Sequence, residues 1–81
     1  MTITIKLFAI LKDRAGTSQT KIEIPAGTGI NHAVERLARQ YPTIQPFLCK
    51  LAYAVNEHYM PVTTELHDGD ELALIPPVSG G

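Results

Sequence analysis

Apolar and polar residues alternate over residues 2–8: Ile3, Ile5 and Leu7 share one side, and Thr4, Lys6 and Phe8 share the other. A period of two predicts a strand with one buried face. Residues 12–17 are polar and contain Gly16, and read as a loop. Alternation returns over residues 19–24, with Ile22 and Ile24 inward and Lys21 and Glu23 outward. Strand, short loop and strand predict an antiparallel hairpin. After Pro25-Ala26-Gly27 the period lengthens, because Ile30, Ala33, Val34, Leu37, Ala38 and Tyr41 recur at helical spacing. Thr28 stands where its hydroxyl would cap the first turn of that helix. Glu35 and Arg39 lie four apart on its polar side, and Pro42 ends it.

The second half is less regular. Residues 43–50 carry Ile44, Phe47 and Leu48, which should tuck a turn or a single helical turn under the domain. Residues 51–55 read as a strand, 56–58 as a turn, and 59–62 as a short strand broken by Pro61. His67-Asp68-Gly69-Asp70 is a turn signal. Residues 71–75 form a last strand, with Leu72 and Leu74 on one face and Ala73 and Ile75 on the other. The helix is read as a crossover, which would set residues 51–55 parallel to the first strand through a right-handed connection. The expected class is α+β: a mixed sheet with one main helix packed on one face, the β-grasp or ubiquitin-like architecture. Residues 1–75 form its body and residues 76–81 a flexible tail.

Composition narrows the functions open to such a body. Eighty-one residues make one small domain, which buries only about 60% of its unfolded surface. That favours a module working against a partner over an enzyme with a deep pocket. Seven Lys+Arg against eight Asp+Glu leave a net charge of −1, without the basic excess of a nucleic-acid binder. The sole cysteine, Cys49, cannot form an internal disulfide, which fits a reducing, cytoplasmic setting. The N-terminus lacks the apolar run of a signal peptide, and no stretch is long enough to span a membrane.

Conventional chemistry finds little support. Gly27 and Gly29 precede the helix, but a dinucleotide fingerprint would need glycine where His32 stands. His32, His58 and His67 have no partners at metal-ligand spacing, so no metal is expected. Cys49 reads as a buried structural thiol, since only Lys50 adjoins it to favour a thiolate. Asp68, Asp70 and Glu71 read as turn chemistry, with a weaker alternative as a docking point for a basic partner.

The C-terminus differs. Pro76 and Pro77 stiffen the exit from the last strand, and Gly80-Gly81 ends the sequence without side chains. Six residues reach at most about 20 Å when extended, enough to carry a terminal carboxylate into a narrow channel of another protein. A frayed terminus is the plainer alternative. A carboxylate is a poor electrophile at neutral pH. ATP would have to convert it to an acyl-adenylate before sulfur or an amine could displace AMP, and sulfur would leave a nucleophilic thiocarboxylate. Gly81 is then the reacting residue, with Gly80 beside it, and no side chain of the domain need be catalytic. Phe8, Ile75 and Tyr59 are large apolar groups outside the core set and are candidate partner contacts.

Leu7-Phe8-Ala9 with Gly16-Thr17, Ala54-Val55-Asn56, Asp68-Gly69-Asp70-Glu71 and Pro76-Pro77-Val78-Ser79-Gly80-Gly81 together resemble the small-subunit family of molybdopterin synthase, the sulfur carriers of molybdenum-cofactor biosynthesis. The resemblance implies activation of Gly81 by a ubiquitin-activating-type adenylating enzyme using ATP, with no cofactor bound permanently by the carrier. It implies a sulfur-donor protein, and docking into the large synthase subunit in a heterotetramer. There the thiocarboxylate would give sulfur to cyclic pyranopterin monophosphate, making molybdopterin. It implies that Phe8, Tyr59 and Ile75 face the partner while Pro76, Pro77, Val78 and Ser79 enter it. The carrier would be the sulfur-donating subunit of a sulfurtransferase without catalytic side chains of its own. A ubiquitin-like protein modifier, a thiamine-pathway sulfur carrier and an interaction module with an inert tail remain alternatives.

Overall fold

The structure is a computed structural model that describes residues 1–77. Strand β1 (Thr2–Leu7) alternates as expected, with Ile3, Ile5 and Leu7 buried. It pairs antiparallel with β2 (Gln19–Glu23), Thr2 opposite Glu23 and Lys6 opposite Gln19. Helix α1 (Ile10–Ala15) lies between them where a loop was expected. Its apolar residues Ile10, Leu11 and Ala15 fall on one side, and Leu11 is wholly buried. Gly16 ends the helix in the left-handed conformation, its N–H donating to the Lys12 carbonyl at 2.9 Å.

Helix α2 (Ile30–Gln40) buries Ile30, Ala33, Val34, Leu37 and Ala38, the face its spacing predicted. Thr28 does not cap it. Its hydroxyl donates to the Pro25 carbonyl at 2.6 Å, and Gly29 takes the cap position. Of the first-turn amides, Ile30 and Asn31 donate to the carbonyls of Thr64 and Val62, each at 3.0 Å, and His32 donates to Asn31 Oδ1 at 3.0 Å. Residues 43–50, read as a turn or a single helical turn, belong to a 3₁₀ helix, Pro42–Lys50, that seats Ile44 in the core.

Strands β3 (Ala52–Val55), β4 (His58–Tyr59) and β5 (Glu71–Ile75) complete one sheet in the order β2-β1-β5-β3-β4. The expectation that residues 51–55 run parallel to β1 is overturned. β3 pairs antiparallel with β5, and β5 is the strand parallel to β1. The chain direction explains this. β2 already returns the chain to the end where β1 starts, so α2 carries it back to the other end and β3 must descend. The crossover closes only at β5. The core joins the inner sheet face to α2, with Leu66, Leu72, Leu74, Tyr53 and Val55 among its members. The mixed sheet with a helix on one face is the expected β-grasp architecture.

Candidate functional site

The last strand lies at the centre of the sheet, and its end delivers Pro76 and Pro77 to the surface. On the face away from α2, register sets Lys6, Ala73, Ala54 and Tyr59 in one row across four strands. Ile75 and Ala52 form the next row. Phe8 follows the Leu7–Leu74 pair, which places it one step on, beside Ile75. The alanines leave a low floor between Phe8, 46% exposed, and Tyr59, 73% exposed. Strand spacing makes this floor about 15 Å wide. Further along the same face a Lys6–Glu71 ion pair at 3.4 Å is solvent-exposed and contributes little to stability.

The two ends of the sheet therefore differ. The end where β5 starts is polar: Asp70 accepts from Asn56 Nδ2 at 2.9 Å and from the His67 amide at 2.7 Å. Asn56 Oδ1 accepts the Glu71 amide at 3.0 Å, tying the β3–β4 turn to β5. Asn56 and Glu57 both have positive φ, 50° and 73°, as a two-residue hairpin of this hand requires. Where β5 finishes, the outer sheet face is apolar, with Phe8, Ile75 and Ala52 beside the tail root.

The predicted partner residues sort accordingly. Phe8 is exposed, Ile75 and Pro76 are half-buried and Pro77 is exposed at the end where β5 finishes, while the exposed Tyr59 lies in the middle row, next to the β3–β4 turn. Val78, Ser79, Gly80 and Gly81 lie outside the described residues. Met60 and Val62 are also exposed and extend the patch beyond Tyr59. They were not singled out, because Pro61 between them obscured the strand. An open groove of about 700 Å³, lined by Ile10, Pro46, Phe47, Pro76 and Pro77, was missed as well. The helical spacing of Ile10, Leu11, Arg14 and Ala15 was the signal for its α1 wall.

Cys49 is exposed rather than buried, since the 3₁₀ helix turns Ile44 inward and leaves residues 49 and 50 at the surface. His32, His58 and His67 are all exposed, and no cluster of three or more His, Cys, Asp or Glu occurs among the described residues. Among the described residues, Tyr53 is the one group with a clear pKa shift. Burial raises its phenol above the ordinary 10.0, with a smaller electrostatic contribution from nearby Cys49. Its hydroxyl donates to the Leu48 carbonyl at 3.3 Å. No helix among the described residues is long and apolar enough to cross a membrane.

A mixed β-grasp sheet whose central strand runs out into the C-terminal segment is the build of the ubiquitin-like carrier proteins. The sequence matches the ThiS family over residues 5–81, and the chain belongs to that family. The molybdopterin synthase sulfur carrier subunit of Mycobacterium tuberculosis is 37% identical over 65 residues, covering 80% of this chain and 78% of that one. The crystal structure of SAMP1, a small archaeal modifier protein, from Haloferax volcanii superposes with a TM-score of 0.93 at 26% identity, covering all of both chains. A chain in the protein–protein complex of subunits 1 and 2 of the molybdopterin-converting factor from Helicobacter pylori shares the fold, at a TM-score of 0.72 and 23% identity over all of both chains.

Proposed function

We propose that this chain is the sulfur-carrier subunit of a molybdopterin synthase. The observation that carries the reading is the central strand β5, which delivers the tail beside an apolar patch of Phe8, Ile75 and Tyr59. The likeness to the M. tuberculosis carrier subunit supports the choice of pathway. In this reading the Gly81 carboxylate attacks the α-phosphate of ATP on an adenylating enzyme, releasing pyrophosphate. A sulfide-level nucleophile from a sulfur donor adds to the acyl carbon, and AMP leaves with the C–O bond that breaks. Within the large subunit the thiocarboxylate sulfur would bond to a carbon of cyclic pyranopterin monophosphate, displacing an oxygen substituent, and water would cleave the acyl C–S bond to return the Gly81 carboxylate. Gly80 lets the tail pass where a side chain would not. Val78 and Ser79 lie along that passage, and Pro76 and Pro77 hold it off the sheet. Two carriers at the ends of a large-subunit dimer would make the heterotetramer, and a cytoplasmic location follows from the reducing chemistry.

The test is the intact mass after incubation with adenylating enzyme, ATP and a sulfur donor. The expected result is exchange of one oxygen for one sulfur, lost on deletion of Gly81. An unchanged mass, with both enzymes active on another carrier, would overturn the reading. The likeness to a small archaeal modifier protein favours one second reading, attachment of Gly81 to a substrate lysine. It predicts conjugates heavier than the free domain.

A further inference from the structure

The charges of this nearly neutral domain are sorted along its strands. Glu23 opposes Thr2 at the start of β1, and Asp68 accepts the Thr2 amide at 2.8 Å. Asp70 and the Glu71 amide bond to Asn56 at that same end, Glu57 adjoins it in the turn, and the Glu71 carboxylate pairs with Lys6. At the other end, Lys12 and Arg14 lie on α1, which follows β1, while Lys50 precedes β3. Asp13 is the sole carboxylate among them. This basic pole lies at the same end as the root of the tail, with Lys50 beside Pro76 and Pro77.

That pole also holds the groove between α1 and the 3₁₀ helix. Ile10, Pro46 and Phe47 line it with the tail-root prolines Pro76 and Pro77, and Lys50 is its charged lining residue. The Arg14 guanidinium stands over the Phe47 ring, 5.8 Å from its centroid, in cation–π range. The groove is thus continuous with the tail but separate from the outer sheet face that carries Ala54, Ala73 and Tyr59.

We propose that this groove is a second docking site, taking a segment of the tail-receiving protein in which an apolar side chain is flanked by carboxylates. The apolar side chain seats against Ile10 and Phe47, and the carboxylates meet Lys50 and Arg14. The separated charge orients the domain as it approaches an acidic surface, tail end first. The proposal rests on the reading that the tail enters a partner.

The test compares association rates of the full chain with the large molybdopterin synthase subunit at low and high salt. R14E/K50E reverses two charges at the groove, and K21E/R36E makes the same change in net charge elsewhere. We expect R14E/K50E to slow association about tenfold at low salt, the lower end of steering effects. K21E/R36E should stay near wild type, and all three should converge at high salt. Equal slowing by both variants, or by neither, overturns the proposal. A wild-type chain that fails to bind the large subunit counts against the proposed function instead. A partner-free measurement then decides the groove: NMR titration with an acetylated Glu-Leu-Glu peptide, against Lys-Leu-Lys. Shifts at Ile10, Phe47 and Lys50 with the acidic peptide alone support the site. Shifts elsewhere, none, or the same shifts with both peptides overturn it.

Discussion

Replacing Tyr59 with alanine separates an interface residue from a structural one. Tyr59 lies on the two-residue edge strand β4 with 73% of its surface in water. A buried aromatic covers about 150–250 Å², so roughly 110–180 Å² remains for a partner to cover. At about 25 cal/mol per Å² that area is worth about 3–4.5 kcal/mol. Alanine retains part of it, and imperfect cover and side-chain ordering remove more. A net loss of about 1.5–2 kcal/mol remains, a Kd weakened roughly 10- to 30-fold. Folding stability should move by less than about 0.5 kcal/mol, as for surface changes that touch no core. Isothermal titration against the large synthase subunit, with thermal unfolding of the free chain, measures both. An unchanged Kd would refute the interface reading. A fall in Tm matching the loss of affinity would refute it differently, by showing that Tyr59 supports the hairpin.

Asn56→Ala removes the acceptor for the Glu71 amide and the donor to Asp70 and places alanine at φ 50°. A loss of about 2 kcal/mol is expected in urea unfolding, and Asn56→Gly should lose less by relieving the backbone alone. Ala9 holds φ 50° and ψ −125° at the β1–α1 junction, a conformation that favours glycine. Ala9→Gly should therefore stabilise by about 1 kcal/mol and raise Tm by about 4–8 °C in a calorimetric scan. Burial raises the Tyr53 pKa above 10.0. Its stabilising contribution is complete below the unfolded value and is lost as pH rises through the folded one. Tyr53→Phe should flatten that alkaline decline in urea unfolding curves collected on both sides of pH 10.

The sheet and main helix were legible because each has one buried face and therefore one period. Ile3-Ile5-Leu7 and Leu72-Leu74 show the strand period, and Ile30 through Ala38 the helical one. Two features hid α1. It is only six residues long, too short for its spacing to repeat, and Lys12, Asp13 and Arg14 give it the composition of a loop. The direction of β3 was lost for another reason. Sequence order shows which element follows which, but counting chain reversals also requires the helix to run the full length of the sheet. Thr28 failed as a cap because carbonyls from residues more than thirty positions away took the amides it would have served. At the site, Phe8, Tyr59 and Ile75 were visible as apolar residues outside the core set. The groove between α1 and the 3₁₀ helix was not, since the α1 spacing is too short to repeat and the 3₁₀ segment has no readable period.

The placement of β5 also determines how the domain answers to force. β5 lies between β1 and β3 and runs parallel to β1. Tension applied at the tail and resisted at Met1 pulls these two neighbours along their axes in opposite directions. Their rungs, from Thr4–Glu71 to Leu7–Leu74, are then loaded in shear together rather than opened one at a time. A tail drawn from a tight channel thus pulls on the best-braced strand of the sheet, and its body should come away folded.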